Sequence, residues 1–254
     1  KEDFTGFPPE RSVSAHKGDF GHLGILAGSC GWHGAAVLAA RAAIRAQPGL
    51  VTVVTTEDAY LPVATQLAQP MVHPWSNNAR DTLSHCIAIL MGLGLAGEMP
   101  ESMRNEISRI WREGEMPVIA DASALDLLPE CKMPNGTVRV VTPHPGEAGR
   151  MLNMQISEIQ ADRAAALRKL AQKYDCQVAL KGLHTLTGGG SGTIYINSTG
   201  NPYLAQGGSG DVLAGFLGGV LAQPKMSKNL DQAISYAIWR HGLEADRLPA
   251  QAEG

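Results

Sequence analysis

No stretch of this sequence approaches the roughly 20 consecutive apolar residues of a membrane-spanning helix. The opening KEDFTGFPPER is charged and proline-containing, with no apolar core, so no secretory signal peptide is visible. Cysteine is sparse. Cys30, Cys86, Cys131 and Cys176 lie far apart, with no C-x-x-C pair and no His at zinc spacing. The expectation is therefore buried free thiols in a reducing cytoplasm. The net charge is only -3, and Lys and Arg are scattered, so nucleic acid is not an expected partner. Two nucleotide-binding signatures are missing as well. There is no Walker A G-x-x-x-x-G-K-S/T, and Gly28-Ser29-Cys30-Gly31 does not match G-x-G-x-x-G.

Glycine, by contrast, is plentiful at 29 residues, and it gathers in short clusters between apolar runs. Such clusters mark tight turns or close approach to a ligand. Residues 1–20, with Pro8, Pro9 and Gly18, read as an irregular lead-in or linker, and 21–254 as one domain. Within that domain strands and helices alternate. Strands are expected at 22–27, 50–55, 86–90, 117–121, 137–142, 177–181 and 193–197. Helices are expected at 34–47, 101–113, 212–222 and 229–247, with a long one opening at Ser157 and Gln160 completing its capping box. This order predicts an α/β fold, with a mostly parallel sheet covered by helices on both faces. Ligands in such folds bind beyond the carboxyl ends of the strands. The chain begins at Lys1 rather than Met, which fits a domain excised from a longer protein.

The segment from Gly207 to Ala222, GGSGDVLAGFLGGVLA, carries the strongest chemistry. Glycines let successive N–H groups point into one concavity, and a helix start behind them adds partial positive charge, so an anion hole for phosphate is expected. A carboxylate there would repel phosphate. Asp211 therefore reads as a general base for a hydroxyl attacking phosphorus, or alternatively as a simple helix N-cap.

Gly207–Asp211 resembles the anion-hole motif of ribokinase-like enzymes. Thr142-Pro143-His144-Pro145-Gly146-Glu147, Lys181-Gly182-Leu183-His184-Thr185 and Asn201-Pro202 through Asp211 are similar to motifs of the ADP/ATP-dependent NAD(P)H-hydrate dehydratases. So are His16-Lys17-Gly18-Asp19-Phe20-Gly21-His22 and Gly34-Ala35-Ala36. The resemblance runs in order from His16 to about Ala222. It implies ADP-dependent dehydration of the S form of hydrated NADH or NADPH (NADHX, NADPHX), with release of AMP and phosphate. ATP is the other candidate donor, and Mg²⁺ would be held through phosphates and water. The dinucleotide would then be substrate rather than cofactor.

The resemblance implies Asp211 as base and Gly208, Ser209 and Gly210 as phosphoryl donors of hydrogen bonds. Lys181, Gly182, Leu183, His184 and Thr185 would line the nucleotide site, with Lys181 near phosphate. His144 would contact the hydrated nicotinamide, and Ala35 and Gly94 would let substrate approach closely. Glu147 would hold metal-bound water or cap the next helix. Taken alone, His144 between two prolines reads as a turn residue, Lys181 as a solvated lysine, and Ala35 and Gly94 as tight packing.

Two segments depart from the family pattern. Met91-Gly92-Leu93-Gly94-Leu95-Ala96 replaces G-P-G-x-G, and Asp121-Ala122-Ser123-Ala124-Leu125-Asp126 replaces D-A-D-A-L-N. Family resemblance also implies fusion behind an epimerase domain and a homo-oligomer, a tetramer, with the small-residue helices 34–47 and 212–222 as candidate subunit contacts. The competing readings are a kinase of a hydroxymethylpyrimidine or hydroxyethylthiazole vitamin precursor, and a catalytically silent adenine-nucleotide sensor.

Overall fold

The computed structural model describes residues 4–76, 78–133 and 136–248. The chain start and residues 249–254 of the expected 21–254 unit lie outside the described residues. In chain order the elements are β1 (His22–Leu26), α1 (His33–Arg45), β2 (Leu50–Thr55), α2 (Tyr60–Ala64), β3 (Met71–Pro74), α3 (Ala79–Ser84), β4 (Ala88–Met91), α4 (Glu101–Glu113) and β5 (Val118–Ala120). They continue with β6 (Arg139–Val141), α5 (Pro145–Leu152), α6 (Ile156–Ala161), α7 (Arg163–Tyr174), β7 (Gln177–Leu180), β8 (Leu186–Gly188), β9 (Tyr195–Ile196), α8 (Ser209–Leu221) and α9 (Leu230–Asp246).

One sheet runs β3-β2-β1-β4-β5-β6-β7-β8-β9. The pairs from β3 to β7 are parallel, and β8 and β9 close the edge antiparallel. Alternate strand residues serve opposite faces, as the period-2 pleat requires. Ile89, Met91, Val118, Ala120, Val178 and Leu180 face the core under α3–α7. Ala88, Leu90, Ile119 and Ala179 face the core under α1, α2, α8 and α9. The expected α/β layering is therefore present. The lead-in is not a free tether: Phe4 and Phe7 pack edge-on to Tyr236 of α9, and Arg11 stacks 3.8 Å over Phe20.

The expected long helix from Ser157 is two helices. Gln155, not Ser157, caps α6, and its capping-box partner is Glu158, not Gln160. The chain breaks at Asp162 (φ -143, ψ 82), whose carboxylate then accepts from Ala165 N to start α7. Local capping by Asp competes with helix continuation, and here it wins. The cysteine expectation holds only for Cys86 and Cys176, since Cys30 is exposed and Cys131 half-buried. Burial pushes the Cys86 thiol up to about 12, so it stays protonated and inert.

The small residues of α1 and α8 meet within the chain. A Cβ on Gly215 would lie 2.2 Å from the Ala39 carbonyl oxygen, and one on Gly219 2.6 Å from that of Ala43. Backbone therefore packs on backbone, and the subunit-contact surface expected of these stripes is occupied by the partner helix. Gly215→Ala is expected to destabilise the protein by about 1–3 kcal/mol through overpacking. Gly34→Ala, with no atom within 4 Å of the added methyl, should cost nothing, and urea unfolding of both variants separates the two outcomes.

Candidate active site

The sheet order reverses between β1 and β4, and the loops after the parallel strands gather along its carboxyl edge, where α/β sheets bind ligands. At the reversal the backbone passes very close to itself. Gly92 (φ +115) has the Asp121 carbonyl oxygen 2.0 Å from where a Cβ would sit. Gly94 (φ +62) would meet Ala35 Cβ at 2.8 Å and the Trp32 carbonyl at 2.4 Å. Ala35 and Gly94 therefore pack tightly on one another, which matches the packing reading of these small residues, and Ser29 Oγ fixes the turn by donating to Gly94 O at 2.8 Å.

A charged cluster lies beyond β5, β6 and β7. Lys181 Nζ sits 2.8 Å from Asp121 Oδ1 and 3.7 Å from Glu147 Oε2, and all three side chains are largely enclosed. Burial works against the ammonium, but Asp121 and Glu147 outweigh it and hold the Lys181 pKa above its usual value. Lys181 is thus neither solvated nor free. Glu147 has two duties: its Oε2 also accepts from His144 N at 2.7 Å, half of a capping box for α5. His144 Nδ1 completes that box by accepting from Gly146 N and Glu147 N, which leaves Nε2 to carry the proton. His144 is therefore both a cap and a cavity wall.

The helix start of α8 lies across from this cluster. Its N-cap is Gly208 (φ +90), with Ser209, Gly210 and Asp211 forming the first turn. Asp211 does not cap the helix, so the capping alternative fails. A Cβ on Gly210 would come 3.5 Å from Lys181 Nζ and 4.0 Å from Asp121 Oδ2. The absence of a side chain there opens the space between the anion loop and the ion pair. Burial, helped by the negative charge of Asp121 and opposed by Lys181, raises the Asp211 pKa to about 6. A carboxylate so tuned is a competent base near neutral pH.

His144, Lys181–Thr185, Ser209 and Gly210 line one cavity of about 570 Å³. Ala35, Gly94, Gly208 and Asp211 are not on its walls; Asp211 lies next to the lining residue Gly210, and Gly208 lies against Leu38. A larger cavity of about 680 Å³, between the lead-in, α1, α8 and α9, contains none of the charged cluster and shares only His241 with the first. The chemistry therefore belongs to the smaller one. Sequence reading missed Asn197 and His241 on these walls, for they come from distant elements and carry no local motif. Among the described residues no group of three His, Cys, Asp or Glu is placed to hold a metal ion.

The profile of one family, NAD(P)H-hydrate dehydratase, matches residues 23–253. The chain belongs to that family. It is 34% identical over 247 residues to the ADP-dependent (S)-NAD(P)H-hydrate dehydratase of Neisseria meningitidis, covering 95% of this chain and 82% of that protein. It is 35% identical over 242 residues to the bifunctional NAD(P)H-hydrate repair enzyme of Coxiella burnetii, covering 94% of this chain and 48% of the relative. The chain thus spans about half the length of that bifunctional relative. The crystal structure of the ADP/ATP-dependent NAD(P)H-hydrate dehydratase from Bacillus subtilis, co-crystallised with ATP/Mg²⁺, superposes with a TM-score of 0.80 at 31% identity, over 92% of this chain and 83% of that one. The fold of this dehydratase-family chain is ribokinase-like.

Two outcomes follow from the site. Lys181→Met leaves two enclosed carboxylates without a counter-charge and should cost about 3–5 kcal/mol in urea unfolding. Asp211 binds its proton more tightly folded than unfolded, so its contribution to stability is lost as pH rises from about 3.8 to about 6. Asp211→Asn should therefore melt higher than the parent above pH 6, with the difference vanishing below pH 4 in a melting series.

Proposed function

We propose that this chain restores NADH and NADPH from their S hydrates, with ADP as phosphoryl donor and AMP and phosphate as products. The observation that carries this reading is Asp211: a carboxylate tuned to about 6 in the first turn of a glycine-led helix, facing the Lys181–Asp121 pair. The hydrated ring carries a hydroxyl beside its nitrogen, and hydroxide is a poor leaving group. Asp211 takes the hydroxyl proton as the oxygen attacks the terminal phosphorus of ADP, and AMP departs. The ring nitrogen lone pair then expels phosphate, and loss of a ring proton restores the double bond.

Ser209 N donates to Gln206 O, and the N–H groups of Gly210 and Asp211 in the first turn are aimed by the helix dipole at the transferring phosphoryl group. Lys181 balances the charge of Asp121 and Glu147, so that Asp211 alone is left to act as base. Residues 181–185 form the wall along which the nucleotide lies, and His144 closes that wall towards the substrate. Ala35 and Gly94 offer a flat approach where a larger side chain would clash. Because Asp121 and Glu147 are already engaged, Mg²⁺ fits as an ion carried on the phosphates and water; when bound, it neutralises phosphate charge. By the same reading the chain works in the cytoplasm as a homotetramer, as one half of a repair enzyme whose other half is an epimerase.

The test is recovery of dihydronicotinamide absorbance when the protein meets the S hydrate of NADH, Mg²⁺ and either ADP or ATP. Recovery should require nucleotide, fall off below about pH 6, and drop roughly 10²–10⁴-fold in Asp211→Asn. No recovery with either nucleotide overturns the proposal in favour of a vitamin-precursor kinase.

A further inference from the structure

Arg139, which is buried, and Arg163, which is half-buried, each donate to several backbone carbonyls. Arg139 is the ordinary case. Its guanidinium donates to the carbonyls of Ile110, Trp111 and Gly114, at the carboxyl end of α4, where a cation complements the helix dipole. Arg163 is the opposite case. It is the first residue of α7, the end at which a cation is disfavoured. Among the described residues no carboxylate forms an ion pair with it, and its Nε is buried without a hydrogen bond. Burial lowers its pKa. Something other than helix stability keeps it there.

Its contacts show what. Nη1 donates to Leu183 O at 2.5 Å and His184 O at 3.3 Å, and Nη2 to Leu180 O at 3.0 Å and Lys181 O at 3.3 Å. The two remaining carbonyls of this turn are also taken, Gly182 O by Thr185 Oγ1 and Thr185 O by Asn197 N. Every carbonyl from Leu180 to Thr185 thus accepts a bond from the protein. The turn is strained to allow this, with Gly182 at φ +137 and His184 at φ +55. A Cβ on Gly182 would sit 3.2 Å from Nη2. The break at Asp162 is what sets Arg163 beneath the turn.

We infer that Arg163 is a positioning residue for the nucleotide, a fork that turns the carbonyls of residues 180–184 away from the cavity so that the wall does not present their negative ends to phosphate. The inference rests on the proposed nucleotide site. A planar guanidinium reaches four carbonyls at once; an ammonium cannot, although it carries the same charge. Geometry and charge are therefore separable by substitution.

The experiment compares the parent, Arg163→Lys and Arg163→Met by calorimetric titration with ADP and with ATP, by hydrogen exchange of the segment 181–185, and by the KM for each substrate. Circular dichroism confirms that each variant is folded. The expected result is that both variants lose at least tenfold in ADP affinity, that amides 181–185 exchange faster, and that KM rises for ADP but stays within twofold for the hydrate. Parent-like binding by Arg163→Lys, within twofold, would mean that charge alone suffices and would overturn the fork. So would unchanged exchange in both variants, whatever the affinity. Failure of the parent to bind either nucleotide would instead overturn the functional reading, and the fork with it.

Discussion

The enclosed ion cluster of Lys181, Asp121 and Glu147 is the contact on which the functional end of this molecule depends. Each member follows a different strand, Glu147 from the first turn of α5 after β6, so the cluster ties together the carboxyl ends of β5, β6 and β7. Charges this enclosed are tolerated only when paired and hydrogen-bonded. Here further hydrogen bonds hold the carboxylates: Asp121 accepts from Ala122 N, and Glu147 caps α5. The electrostatic consequence reaches Asp211. Asp121 and Glu147 are committed to the lysine, and the pKa of Asp211 is raised by its burial and by the negative charge of Asp121.

Helix α8 joins packing to chemistry. Its first turn faces the cluster, and its later glycines, Gly215 and Gly219, lock it against α1. The close backbone approach fixes the helix axis, and with it the direction in which the N-terminal N–H groups point. An electrostatic site needs that rigidity, because preorganised dipoles are effective only if they do not reorient when charge develops. On the other side of the cavity the same requirement is met by Arg163 holding the 180–184 carbonyls.

Much of this was legible in the order of residues. The strands at 22–27 and 50–55, the helix at 101–113 and the Gly207–Asp211 loop were all marked by periodicity, β-branched runs or glycine clustering. The misses have physical causes. β3 and β8 are short and lie toward the sheet margins, with too few residues to show a period. The break at Asp162 is a contest between two local hydrogen-bonding choices that the neighbouring sequence leaves nearly balanced. Lys181 was expected to lie near phosphate in the nucleotide site; its pairing with Asp121 and Glu147 was not legible, because residues that far apart in the chain leave no local trace.

By itself the sequence determined the class of fold, the location of the anion loop and the family, because each is written in contiguous residues whose backbone preferences act locally. Tertiary structure decided which charge meets which. Only in the assembled sheet does Lys181 find its carboxylates, Asp211 become partly buried, and Arg163 reach the turn it holds, since each of these depends on burial and on distances between segments far apart in the chain.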